Sequence, residues 1–103
     1  MKIFFEQSGG FAGLSRKINV DTSFLPPLEV QEIESMVNRS KFFELPSSTA
    51  QPNGDAADYF RYRITLEPDS GNKHTVETTD VTMPSELSPF IGYLRRKIKE
   101  RHR

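Results

Sequence analysis

From position 59 to position 67 the chain alternates without a break. Phe60, Tyr62, Ile64 and Leu66 fall on one side, and Tyr59, Arg61, Arg63 and Thr65 on the other. A period of two places one side chain set on each face of an extended strand, so this stretch can bury one face only if it joins a sheet. The same period opens the chain, where Ile3 and Phe5 alternate with Lys2, Phe4 and Glu6, and it returns at Leu14, Ile18 and Val20 between Ser15, Lys17, Asn19 and Asp21. The turn formers Ser8-Gly9-Gly10-Phe11-Ala12-Gly13 join these two strands into a hairpin, with glycines supplying positive φ. Asp69-Ser70-Gly71-Asn72 turns the third strand into a fourth over residues 73–79, a second hairpin.

Between the hairpins the period changes. Pro26-Pro27 opens a segment in which Leu25, Leu28, Ile33, Met36 and Val37 recur at helical steps. Glu29, Glu32 and Glu34 crowd the early turns, where the helix dipole favours anions, which predicts a helix over 27–38. A longer helix follows Met83-Pro84, with Leu87, Phe90, Ile91, Leu94 and Ile98 as its apolar stripe, Ser85 or Ser88 as N-cap and Pro89 tolerated near its start. The order ββαββα defines an α+β fold: a four-stranded antiparallel sheet with two helices packed on one face. The open face is expected to carry Phe4, Lys17, Tyr59, Arg61, Arg63, Lys73 and Thr75. At 103 residues this is one domain, 1–103, with one small core. Phe42-Phe43-Glu44-Leu45-Pro46 is too apolar for a free linker and reads as an anchor on the first helix, whereas residues 47–55 are small, polar turn formers.

The chemistry is sparse. There is no Cys, and His74 and His102 are the only imidazoles, with no His-Glu-x-x-His helix. No catalytic residue, no metal ligand set and no cofactor is therefore expected, and His74 reads as a partly buried structural residue. The glycine cluster lacks the Lys-Ser/Thr of a phosphate loop and is followed by a strand rather than a helix. Glycines explain a turn but do not explain the bulky Phe11 at its tip, which either tucks back or meets a partner. Lys+Arg and Asp+Glu balance at 14 each, yet the last nine residues hold six cations against Glu100. That basic helix end and the open-face aromatics leave a nucleic-acid-binding module as the alternative function. The early carboxylate of Glu6 and the short apolar runs predict no signal peptide, no membrane span and a cytoplasmic protein.

The combination is more telling than any one motif. A Lys-Ile-Phe-Phe-Glu strand precedes Ser8-Gly9-Gly10-Phe11-Ala12-Gly13, then come Leu25-Pro26-Pro27, Phe42-Phe43-Glu44-Leu45-Pro46, Asp58-Tyr59-Phe60-Arg61-Tyr62 and His74-Thr75-Val76-Glu77. In this order and spacing, over essentially the whole chain, the sequence resembles the emfourins, small bacterial inhibitors of protealysin-like enzymes, a branch of the thermolysin-type zinc metallopeptidases. The resemblance implies a protein that is not an enzyme, binds a bacterial thermolysin-type peptidase and blocks substrate access; the zinc belongs to the target. It carries no residue-level mechanism, so the inhibitory surface is chosen on physical grounds. Thermolysin-type enzymes are generally taken to prefer a bulky apolar side chain just after the scissile bond, and a glycine-flanked Phe11 on a hairpin suits that preference. Ser8, Gly9, Gly10, Phe11, Ala12 and Gly13 are the expected inhibitory surface, and the loop with Gln51, Asn53, Gly54 and Asp55 is the second candidate. The free chain is expected to be a monomer.

Overall fold

The computed structural model describes residues 1–9, 15–47 and 60–101. Six main elements follow in order: β1 (Lys2–Gly9), β2 (Arg16–Asp21), α1 (Pro27–Ser40), β3 (Phe60–Glu67), β4 (His74–Thr79) and α2 (Ser88–Arg101). The sheet is antiparallel throughout with strand order β2-β1-β3-β4, so β1 and β3 occupy its centre. The expected ββαββα architecture is the observed one.

Strand alternation puts Ile3 and Phe5 of β1, Ile18 and Val20 of β2, Tyr62, Ile64 and Leu66 of β3 and Val76 of β4 on one face, all buried. The two helices close that face. Ile33 and Val37 from α1 and Phe90, Ile91, Leu94 and Ile98 from α2 join the same apolar cluster. On the other face charges of both signs alternate: Arg63 bridges Glu77 at 2.9 Å and Glu6 at 3.8 Å, and Lys17 lies 3.8 Å from Glu6. These pairs are exposed enough that each contributes little to stability.

Two helix boundaries differ from the sequence expectation. The first helix was expected to stop at Asn38 but runs to Ser40, because its stop is a lysine rather than a glycine. Lys41 takes φ 52 and ψ 46, a left-handed cap whose N–H bonds the carbonyls of Asn38 and Val37. The second helix does not start from a serine cap. A 3-10 turn over Ser85–Leu87 runs into it, Pro84 precedes that turn without a side-chain bond, and the Ser85 hydroxyl donates to Glu86 at 3.3 Å.

Leu28 also departs from its expected place on the apolar stripe, with 74% of its surface exposed. At about 100° per residue it sits roughly 140° around the helix from Ile33, outside the face that Ile33 and Val37 define. The contrary case is Tyr93, which sequence periodicity did not select. Its ring is buried, and its hydroxyl donates to Glu29 in the first turn of α1 at 2.5 Å. Lys97, one turn further along α2, meets the same carboxylate at 2.6 Å and lies over the Tyr93 ring at 5.6 Å. A cation of the basic helix end is thus a tie between the helices.

The Phe-Phe-x-Leu-Pro segment anchors as expected, with unequal rings. A 3-10 turn over Phe42–Glu44 drives Phe42 fully into the core, edge-on to Phe90 and His74, while Phe43 stays 45% exposed against the edge of Phe42. His74 is partly buried, its Nε2 bonded to the Leu45 carbonyl at 2.8 Å, which fits the structural role expected of it.

Phe42→Ala should destabilise the fold by about 3–5 kcal/mol in denaturant titration, and Phe43→Ala by clearly less; equal losses would contradict the packing. The ion tie predicts a pH effect. The Lys97 ammonium first, then the Tyr93 hydroxyl, hold the Glu29 carboxyl below its ordinary value of 4.5 against an opposing desolvation. A lowered folded-state value means the unfolded chain binds the proton more readily, so this contribution is present above about 4.5 and is lost as pH falls further. Glu29→Gln should therefore be less stable than wild type at neutral pH and should narrow that gap in acid, as followed by melts across pH 3–7.

Candidate functional site

Antiparallel pairing decides which chain ends meet. β1 finishes at Gly9 and β3 begins at Phe60, and these two residues are register partners; Gln7 faces Arg16 at the start of β2, and Arg61 faces Thr79 at the end of β4. The β1–β2 connection, the segment entering β3 and the turn leaving β4 therefore attach to one end of the sheet. Of the expected inhibitory residues, Ser8 and Gly9 are not turn residues: they continue β1, opposite Arg61 and Phe60. Gly9 has φ 94, a left-handed value that disfavours any side chain. Gly10, Phe11, Ala12 and Gly13 lie outside the described residues, as do Gln51, Asn53, Gly54 and Asp55. What the fold brings together is the attachment points of the two candidate loops, on adjacent strands.

That end is built on rings and one carboxylate. Tyr62 stacks on Phe5 with centroids 5.9 Å apart, Phe60 leans on Tyr62 at 6.4 Å, and the Arg95 guanidinium covers the Phe60 ring at 5.4 Å. Asp80, just beyond β4, accepts the Phe60 N–H at 3.1 Å and the Tyr62 hydroxyl at 2.6 Å. Burial first, then the bond to Asp80, pushes the Tyr62 phenol well above its ordinary value, so it stays a neutral donor. Nearby, the Ser15 hydroxyl donates to Glu6 at 3.0 Å. Sequence reading did not select Asp80; the signal available was an aspartate between hydroxyl residues, Thr79-Asp80-Val81-Thr82, ahead of Met83-Pro84.

Asp80 uses both oxygens structurally, and the aromatic groups here are packed. Among the described residues no group of three His, Cys, Asp or Glu side chains is placed to hold a metal. Of the expected open-face cations, Lys17 and Arg63 are interleaved with Glu6 and Glu77, so this part of the face offers a partner mixed charge rather than a basic stripe, and Lys73 lies ahead of β4. No helix among the described residues is long and apolar enough to cross a membrane.

Fold and site together define a class: a small α+β protein of ββαββα order in which one sheet end is tied by the hydrogen bonds of Asp80 to β3. Within that class the chain belongs to the emfourin family, whose model matches residues 5–95. Emfourins are an inhibitor family, which gives this chain a protease-inhibitor role in general terms. No curated protein and no solved structure matches it.

Asp80→Ala should leave the Tyr62 hydroxyl and the Phe60 N–H without their acceptor and destabilise the fold by about 1–3 kcal/mol. Tyr62→Phe combined with Asp80→Ala should lose less than the sum of the single changes; strict additivity in a double-mutant cycle would deny the coupling.

Proposed function

We propose that this chain inhibits a bacterial thermolysin-type, protealysin-like zinc metallopeptidase by placing the tip of its first hairpin in the substrate cleft. Phe11 is the apolar plug, flanked by Gly10, Ala12 and Gly13, and the loop with Gln51, Asn53, Gly54 and Asp55 is the alternative plug. Family membership supports the inhibitor class. The observation that carries the choice of surface is the pairing of Gly9 with Phe60, since it roots both loops on neighbouring strands at one sheet end.

The physical logic is that of a poor substrate that binds well. A loop rooted in paired strands resists the extended geometry that cleavage requires, and little ordering entropy is lost on binding. An aromatic side chain supplies a large contact area in a desolvated pocket, the usual character of an interface hot spot. In this reading the free chain is a monomer in the bacterial cytoplasm, and the zinc it obstructs is held entirely by the enzyme.

Phe11→Ala should weaken inhibition of a purified protealysin-like peptidase by about 2 kcal/mol or more, roughly thirtyfold, with the melting temperature nearly unchanged. Inhibition by the wild type should vary little between low and high salt, whereas phosphate-dominated nucleic-acid binding would fall steeply. A Phe11→Ala chain that melts lower yet inhibits as well as wild type would make Phe11 a packing residue and transfer the plug to residues 51–55.

A further inference from the structure

Val81 is 71% exposed at the tip of the turn that leaves β4, an unusual place for a β-branched apolar side chain. The turn beneath it is held by a closed set of hydrogen bonds. The hydroxyls of Thr79 and Thr82 lie 2.8 Å apart, and the Thr79 N–H donates to the Thr82 hydroxyl at 3.2 Å. The Thr79 hydroxyl accepts the N–H groups of Val81 at 3.3 Å and Thr82 at 3.1 Å. Asp80 pins the same turn to β3 through the Phe60 N–H and the Tyr62 hydroxyl. The polar atoms are thus turned inward onto the fold, and Thr79 is almost completely buried, while the apolar side chain is turned outward.

Position gives this display a partner. Thr79 faces Arg61, next to the Phe60 that faces Gly9, so the turn stands at the sheet end that carries the hairpin. With strands about 4.8 Å apart, β4 lies roughly 10 Å sideways from β1. A standard interface of about 800 Å² per partner is roughly 30 Å across, wide enough to include both. The other exposed large apolar side chains among the described residues belong to other parts of the fold: Phe24 follows the far end of β2, beyond Asp21 opposite Lys2, Leu28 lies in the first turn of α1, and Phe43 lies by His74 at the start of β4.

We infer that the turn over residues 79–82 is a preformed second contact of the inhibitor, with Val81 entering an apolar depression on the target peptidase beside the cleft that the hairpin tip occupies. The inference rests on the inhibitor reading above and extends it to a segment that sequence motifs do not mark. Because the turn is ordered in the free chain, its contact needs no loop ordering on binding and adds to affinity mainly by slowing dissociation.

The test uses the full chain against a purified protealysin-like metallopeptidase, with Val81→Ser, Val81→Asp and the far-end control Phe24→Ser. Val81→Asp should raise the inhibition constant by about tenfold or more and Val81→Ser by a smaller factor, both through faster dissociation, with melting temperatures and Phe24→Ser unchanged. Wild-type inhibition equalled by both Val81 variants would overturn this contact and leave the inhibitor reading standing. A wild-type chain that inhibits no such enzyme would overturn both. A wild-type dimer in sedimentation that Val81→Asp dissolves would assign the turn to self-association instead.

Discussion

The pairing of β1 with β3 is the constraint on which the rest of this molecule depends. Eight consecutive register partners, from Lys2 with Glu67 to Gly9 with Phe60, join the first strand to one that starts about fifty residues later. With these two strands in the centre, β2 and β4 become the edges, and the inner faces of all four make one apolar floor for both helices. The pairing also brings the chain back to the same sheet end after the whole of the first helix. A one-residue slip would turn Tyr62, Ile64 and Leu66 to solvent, so burial and register enforce each other.

Above that floor the helices meet through a polar contact at their rim as well as through the core. Tyr93 and Lys97 converge on Glu29, joining the first turn of one helix to the later turns of the other. Tyr93 supplies an apolar ring to the core and a hydroxyl to the rim, so one residue serves both layers. Every buried side-chain nitrogen and oxygen among the described residues has a partner, and satisfaction of this kind is what makes polar contacts near a small core tolerable.

The inner face, the helix rim and the Asp80 network are satisfied within the chain, whereas the Val81 side chain at the sheet end is left exposed. A protease inhibitor must hold its contact residues still without using them to hold itself together. The stacked rings of Phe5, Tyr62 and Phe60, capped by Arg95, stiffen the sheet end where Gly9 meets Phe60. Arg63, Arg95 and Lys97, which looked available for phosphate, are instead used in ion pairs or over aromatic rings.

Much of this was legible locally. The period-two runs and the Leu87–Ile98 stripe marked which residues would be buried, and the 42–46 segment was readable as an anchor from its apolar weight alone. Family membership was legible from the order and spacing of short motifs. Less was legible where the cue depends on conformation: Lys41 stops a helix that no glycine marks, Leu28 fits the spacing yet misses the face, and Ser8 and Gly9 extend a strand where their composition reads as turn. The sequence by itself determined the elements, their inward faces and the family, because burial preference and helix or strand period are properties of neighbouring residues. Only the tertiary structure decided the strand order, the meeting of Tyr93 with Glu29 across 64 positions, and the gathering of Gly9, Phe60 and the Val81 turn at one end. Those depend on which strand completes which edge, a choice made by the closing of a shared core that no local pattern records.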